Sequence, residues 1–390
     1  MSAATEARIR SRLREQPLPC EGRAAARSWP VVEAALAERG PARRPRRLVL
    51  RLALVAALLC VGLVAALTPA GAAVGDWIED RVADRNDRAA PAFAGLPDGG
   101  SVLTISRSGA YAIDPDGGSQ RLGSFSEGGW SPHGLHVVGV DGRRLTAVDP
   151  TGIVKWTLAR AGRVHHPSWS KGLGYVVAYM EGPTLRVVAA TGDPSTDRPL
   201  RRDAAAVTPA WRPQSDRILS YATVGGAIET VDVTSGRSVW RAPSGASGAP
   251  LALAWSRDAR RLVALSSGSV TVRDATGRVL RTIALPAAGL ELALHPSGMR
   301  AAVVVGGTGG TRVLDLPLRG AGRPRQLFQG GVDGLAWSRD GKRLLLAWRD
   351  TDEWLLLGPD GRVRRALHDV SAELGAAGGF PRVAGWCCPG

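Results

Sequence analysis

From residue 95 onward, short apolar runs alternate with turn signals, and no helical period persists. The clearest case is Gly334-Leu-Ala-Trp-Ser-Arg-Asp-Gly-Lys-Arg-Leu-Leu-Leu-Ala-Trp348. It reads as one strand, a tight turn at Asp340-Gly341 and a second strand, because Gly enters the positive-φ region without steric cost. Runs of this length, bounded by Gly, Pro, Asp and Ser, predict an all-β domain over residues 95–390. Upstream the pattern changes. Leu52 to Thr68 is an uninterrupted uncharged stretch of 17 residues. With Leu48 to Leu50 added and Arg51 snorkelling, about 20 residues can cross a ~30 Å hydrocarbon layer.

Two marks recur within the β region and stay in phase. The first is an anchor turn: Trp130-Ser-Pro-His-Gly, Trp169-Ser-Lys-Gly, Trp211-Arg-Pro-Gln-Ser, Trp255-Ser-Arg-Asp, His295-Pro-Ser-Gly and Trp337-Ser-Arg-Asp-Gly. A degenerate copy, Leu96-Pro-Asp-Gly, sets the first anchor at Gly95, and successive gaps are 35, 39, 42, 44, 40 and 42 residues. The second mark is a hairpin turn: Asp114-Pro-Asp-Gly, Asp149-Pro-Thr-Gly, Ala189-Ala-Thr-Gly, Asp232-Val-Thr-Ser-Gly, Asp274-Ala-Thr-Gly, Asp315-Leu-Pro-Leu-Arg-Gly and Gly358-Pro-Asp-Gly. Each begins 19 to 21 residues after its anchor. A period near 40 with about four short strands per unit predicts a seven-bladed β-propeller, six or eight blades being the alternatives. The anchor tryptophans are expected to pack between blades. The first unit lacks a leading strand, whereas Phe380–Cys388 is a surplus anchor strand containing Trp386. This predicts that Phe380–Cys388 pairs with Val102–Ile105, closes the ring and buries Trp386.

The region before the propeller divides by charge. Residues 1–51 hold 12 Arg and five Glu, a net +7 out of the chain's +15. Residues 1–47 read as a basic tail with one short helix, Ser28–Arg39, capped by Ser28 and ended by Gly40-Pro41. That helix is either part of a tail or a docking element for a cytoplasmic regulator. The Arg43–Arg51 cluster beside the apolar stretch predicts a transmembrane helix over 48–68, with the N-terminus cytoplasmic and the propeller extracytoplasmic. The rival is a signal peptide cleaved after Ala70-Gly-Ala72, though a polar segment of some 50 residues before it favours an uncleaved anchor. Residues 69–94 read as a juxtamembrane helix, Val74–Arg85, and a Pro- and Ala-containing linker.

Candidate chemistry is sparse. Four Cys exclude a disulfide scaffold. The six His show no metal spacing, and His165-His166, adjacent on a strand, are expected on opposite faces. Gly306–Gly310 reads as a hairpin rather than a phosphate loop. No cofactor, metal or catalytic residue is assigned. The excess of Arg over Lys tracks nucleotide composition and does not argue for nucleic-acid binding. Cys387 and Cys388 are the one unusual pair, a possible vicinal disulfide, since Cys20 and Cys60 fall in the tail and the apolar stretch. Trp130, Trp169, Trp211, Trp255, His295, Trp337 and Trp386 are assigned as structural blade anchors.

The Trp-Ser-Arg-Asp-Gly-Lys-Arg-Leu-Leu unit resembles the WD40-like repeats of the Tol-associated (TolB-like) propeller group, over roughly residues 95–388. Asp149–Trp156 and Asp232–Trp240 resemble the strand-turn-Trp units of quinoprotein-type propellers. The whole layout is similar to membrane-anchored propeller proteins of high-GC actinobacteria. The Trp-Asp pair of true WD repeats is replaced by Val231-Asp232 and Arg273-Asp274, whose Asp residues are better read as turn formers. The resemblance implies a protein-binding, scaffold or sensor module. The alternative is an envelope oxidoreductase of quinoprotein type, for which the adjacent cysteines speak, or a hydrolase using the axial pocket.

Overall fold

A computed structural model describes residues 93, 96, 100–243, 248–307, 310–374 and 379–387. Its described residues form seven four-stranded antiparallel sheets, the seven blades that the two marks predict. The tail, the 48–68 stretch and the juxtamembrane helix lie outside the described residues. Among the described residues no helix is long and apolar enough to cross a membrane.

The innermost strands are Glu127–Trp130, Val164–Trp169, Ala210–Trp211, Pro250–Trp255, Gly289–Leu294, Val332–Trp337 and Arg382–Cys387. Each touches the next around the axis, and the last touches the first. The middle strands are buried on both faces, as in Arg261–Ser266 and Leu344–Trp348, because a neighbouring blade covers each side. They therefore read as continuous apolar runs. Outer strands such as Val154–Ala159 and Val279–Ala284 are mostly exposed and alternate.

The apolar core is divided among the blade interfaces. Seven clusters of buried residues each join one blade to the next, including blade 7 to blade 1. In that last interface Phe93 lies against Trp354, with ring centroids 5.0 Å apart. Both rings are fully buried. Phe93 and Leu96, in the stretch read as linker and first turn, thus belong to the core.

The closing strand pairs as expected. Arg382–Cys387 runs antiparallel to Ser101–Ser106, with Val102 opposite Trp386 and Ile105 opposite Arg382. Trp386 differs from expectation: it is only half-buried. One side of its indole packs on the blade 7–1 core, while the other forms the wall of the axial cavity.

The anchors do link blades. The indole N–H groups of Trp211 and Trp337 donate to the carbonyls of Ser168 and Ala293 in the preceding blade, at 3.1 and 3.2 Å. Trp255 donates to the Ser220 hydroxyl at 3.1 Å. His295 lies edge-on to Trp337, and its Nε2 is 3.0 Å from the Gly341 carbonyl. The anchor serine staples its own turn: Ser338 donates to Asp340 at 2.7 Å and accepts from the Arg343 amide at 2.9 Å. Blade 3 has no Asp in its turn, and Asp216 from blade 4 takes that place, accepting from the Ser170 hydroxyl and the Leu173 amide.

The hairpin marks form turns as read, with one exception. Asp274 caps the Thr276 and Arg278 amides at 2.9 and 3.0 Å, and Asp232 caps the Thr234 amide at 2.8 Å. Asp315 instead sits inside the strand Arg312–Pro317 and makes a two-bonded ion pair with Arg300. There the alternation rule outweighs the turn propensity, and the loop moves beyond Leu318. The outer tryptophans lean on the next blade: Trp156 and Trp240 donate to Ala190 and Ala275 carbonyls at 2.6 and 3.1 Å. Each indole occupies the space that a Cβ at Gly192 or Gly277 would need.

Ala259 occupies the turn position held by Gly341 in blade 7 and has φ 57°, a left-handed conformation. Replacing Ala259 by Gly is expected to stabilise the domain by about 1 kcal/mol, since Cβ is disfavoured there. An unchanged or lower melting temperature would contradict this.

Candidate functional site

The inner strands leave an axial cavity lined in three connected parts. One end holds about 790 Å³, bordered by Arg107, Glu291, Asp333, Arg349 and Arg382. The middle holds about 780 Å³, bordered by Glu127, Arg163, His166, Lys171 and Arg382. The other end, about 720 Å³, is framed by the anchor turns, with Trp211, Trp255, His295, Trp337, Trp386 and Cys387 in its wall. The structure therefore places five of the seven predicted anchors in the wall of one mouth, with Trp130 and Trp169 lining the adjoining middle part. Their structural role is also a lining role.

The polar groups inside the cavity come from inner-strand positions just before the anchors. Glu127 accepts from the His166 amide at 2.6 Å and lies 3.4 Å from His166 Nδ1. His166 has φ 52°, and the register shifts between His165 and Ser168. This break in the pleat corrects the expected opposite placement of the two histidines: their rings are 4.9 Å apart and edge-on. They still serve different partners, since His165 Nε2 is 3.1 Å from the Gly182 carbonyl. Burial lowers the His166 pKa, with Glu127 opposing. No cluster of three metal-ligating side chains occurs among the described residues.

Glu291 has a strongly altered acidity. Burial pushes its pKa up to about 7, against the Leu335 amide and the charge of Arg382 and with help from Asp333. The Leu335 amide donates to it at 3.4 Å. Asp333 itself pairs with Arg349 at 2.8 Å. A carboxyl whose folded pKa lies above its unfolded value is ionised first in the unfolded chain. Its contribution to stability therefore falls as pH rises from about 4.5 to about 7. Glu291→Gln is expected to raise the melting temperature at pH 8 by a few degrees and leave it unchanged at pH 4; a uniform shift at both pH values would contradict this.

Lys171 projects into the middle and mouth of the cavity. It keeps solvent contact, but protein surrounds it within the funnel, and this desolvation lowers its pKa. Cys387 is disulfide-bonded, and its sulfur lies 3.7 Å from the Ser131 carbonyl oxygen. Cys388 lies outside the described residues, as does the partner sulfur. Glu127, Glu291, Asp333, Arg382 and Lys171 escaped the sequence reading. The available signal was a charge inside an inner-strand run, such as Glu127 in Phe125-Ser-Glu-Gly-Gly-Trp130.

No protein-family model matches this sequence. No curated protein is similar to it. Solved structures do resemble it. The β-propeller domain of Cps50 (Swd1) from Myceliophteria thermophila superposes with a TM-score of 0.52 at 16% identity, covering 64% of this chain and 87% of that one. A chain of the mitotic checkpoint complex superposes with a TM-score of 0.50 at 19% identity, covering 63% and 78%. At these identities the likeness extends to the fold alone, that of a seven-bladed β-propeller.

Proposed function

We propose that this protein is a binding or scaffold module, a WD40-like propeller held outside the cytoplasmic membrane by the 48–68 segment. The observation that carries the binding role is the mouth framed by the anchor turns. It is rigid, because each of its turns is tied to a neighbouring blade or stapled by its own serine. It also presents exposed Leu135, Leu173 and Tyr175 on the anchor turns of blades 2 and 3. Exposed apolar side chains grouped on one face of a rigid disc mark an interaction site. The arginine cluster before the apolar stretch supports an N-terminus inside and the propeller outside. In that orientation the Ser28–Arg39 segment, read from the sequence as a helix, would meet a cytoplasmic regulator.

The test is a crosslinking pull-down from membranes with the full chain and with a Leu135→Asp/Leu173→Asp variant. Partners captured by the native chain should be lost from the variant. Capture of the same set by both would overturn the assignment of this face, and a cofactor absorbance spectrum in the purified protein would favour the oxidoreductase alternative. Protease added to intact spheroplasts should digest the propeller loops; full protection would overturn the topology.

A further inference from the structure

The mouth differs in charge from the rest of the axial cavity. Its lining includes Lys171, Arg257 and Arg339 but no Asp or Glu. The three cations occupy the same place in their blades, directly after Trp-Ser of the anchor. All three side chains are exposed, and among the described residues none of them enters an ion pair.

The carboxylates on the same turns are committed elsewhere. Asp216 accepts the Leu173 and Gly174 amides at 2.8 and 3.0 Å. Asp258 accepts the Ser256 hydroxyl at 2.5 Å and the Arg260 amide at 3.1 Å. Asp340 accepts the Lys342 amide at 2.9 Å and pairs with the Lys342 ammonium at 3.1 Å. Their charge is directed into local N–H groups, so the unpaired charge at the opening is positive.

Next to Lys171 is an apolar shoulder. Leu135, Leu173 and Tyr175 are each 63% exposed. They belong to the anchor turns of blades 2 and 3, which touch: a Cβ at Gly174 would lie 3.1 Å from Pro132. Lys171 belongs to the second of these turns, so cation and apolar shoulder are one surface.

Resting on the reading of this face as a docking surface, we infer that the mouth binds an acidic segment of a protein partner. Carboxylates of the segment meet Lys171, Arg257 and Arg339, and its apolar side chains cover Leu135, Leu173 and Tyr175. Cations of one sign around a low-dielectric concavity focus the field and select the opposite charge. A nucleic acid would satisfy the cations but leave the apolar shoulder in water. A flat anionic membrane would not follow the concave opening where Lys171 lies.

The experiment selects binders from a random peptide display library on the native chain, then measures the recovered peptides against two variants. One is Lys171→Glu/Arg257→Glu/Arg339→Glu; the other is Leu135→Asp/Leu173→Asp. The sites are exposed, and thermal melts establish that each variant folds. Recovered peptides should be rich in Asp and Glu interspersed with apolar residues. Their affinity for the charge-reversed variant should fall by about 10–100-fold, as three weakened surface ion pairs imply. On the native chain, affinity should also drop as NaCl rises from roughly 0.05 M to about 0.5 M, a measurement that stands even if a variant misfolds.

Acid-free peptides that lose affinity for the Leu135/Leu173 variant would overturn the acidic assignment and leave the docking face intact. Peptides that bind native chain and both variants equally would overturn both. Displacement of the peptides by a random single-stranded oligonucleotide of comparable affinity would overturn the protein-partner assignment in favour of a general polyanion site.

Discussion

Truncation after Gly379 is expected to abolish cooperative folding of the propeller. The deleted strand Arg382–Cys387 is the innermost strand of blade 1 and touches the inner strands of blades 7 and 2. It buries Val383 completely in the blade 7–1 core and half of Trp386. Burying a side chain of the size of Val383 is worth about 1.5–3 kcal/mol. Each backbone hydrogen bond to Ser101–Ser106 adds about 1 kcal/mol net. The Thr104 hydroxyl, fully buried, also loses its acceptor, the Arg382 carbonyl at 2.9 Å. Together these losses approach the ~5–15 kcal/mol that holds a typical domain. They also open a ring whose other six interfaces depend on its curvature. Far-ultraviolet circular dichroism should show loss of a sharp melt, with aggregation through the exposed edge of Ser101–Ser106. A truncated chain that melts like the full chain would refute the closure. Cys387→Ser/Cys388→Ser should retain the fold, since the strand is held by its ladder and by Val383; failure of this variant to fold would make the disulfide a structural requirement.

Glu229→Gln is expected to destabilise the propeller strongly. Glu229 lies in the middle strand Ile228–Asp232 with its side chain 5% exposed. It pairs with Arg201 at 3.0 Å and Arg241 at 3.2 Å and accepts the Tyr221 hydroxyl at 2.9 Å. Burial raises its pKa, but the hydrogen bonds from Arg201 and Tyr221 and the charge of Arg201 outweigh this, so the net shift is downward. Tyr221 is shifted upward by the same burial and by Glu229. Removing the charge leaves Arg201 without its counter-ion and Arg241 with Asp203 alone, at 3.6 Å. Breaking one partner of a buried pair costs about 3–5 kcal/mol, and partial exposure of Arg201 and Arg241 places this case near the lower end. The melting temperature should fall by roughly 5–10 °C at pH 7. Because the folded pKa lies below the unfolded value, the stabilisation is present above about 4.5 and lost as pH falls further. The gap between Glu229→Gln and the native chain should therefore narrow towards pH 3. An equal gap at both pH values would point to altered packing rather than lost charge.

The repeat in the sequence determined the number of blades, the place of the closing strand and the turn chemistry of most hairpins. These follow from local physics. A Trp-Ser-x-Asp-Gly segment supplies its own hydroxyl acceptor and its own positive-φ residue, so the turn at Ser338–Gly341 is specified by neighbours in the chain. The surplus strand before Cys387 could be matched to the missing one because every other unit was complete. Where another strand or a neighbouring blade supplied a part, the sequence misled or stayed silent. Asp216 completes the turn of Ser170 across a blade boundary, and no spacing within one unit signals it. Asp315 left its expected turn because Arg300 on the paired strand captured it. His165 and His166 departed from alternation because a bulge in the inner strand holds His166 at positive φ against Glu127.

The axial cavity was decided by the tertiary structure alone. Glu127, Glu291 and Arg382 are more than 250 residues apart in sequence at the extremes, and only ring closure brings their strands to one axis. The burial that lifts Glu291 to about 7 is a property of that axis, not of its own strand. The same closure turns seven anchor residues, legible only as core, into the wall of the axial cavity. A sequence specifies which faces must be covered through the period of its apolar residues. Which side chains then face a shared central space depends on how many blades curve around it, and that is fixed only when the ring closes.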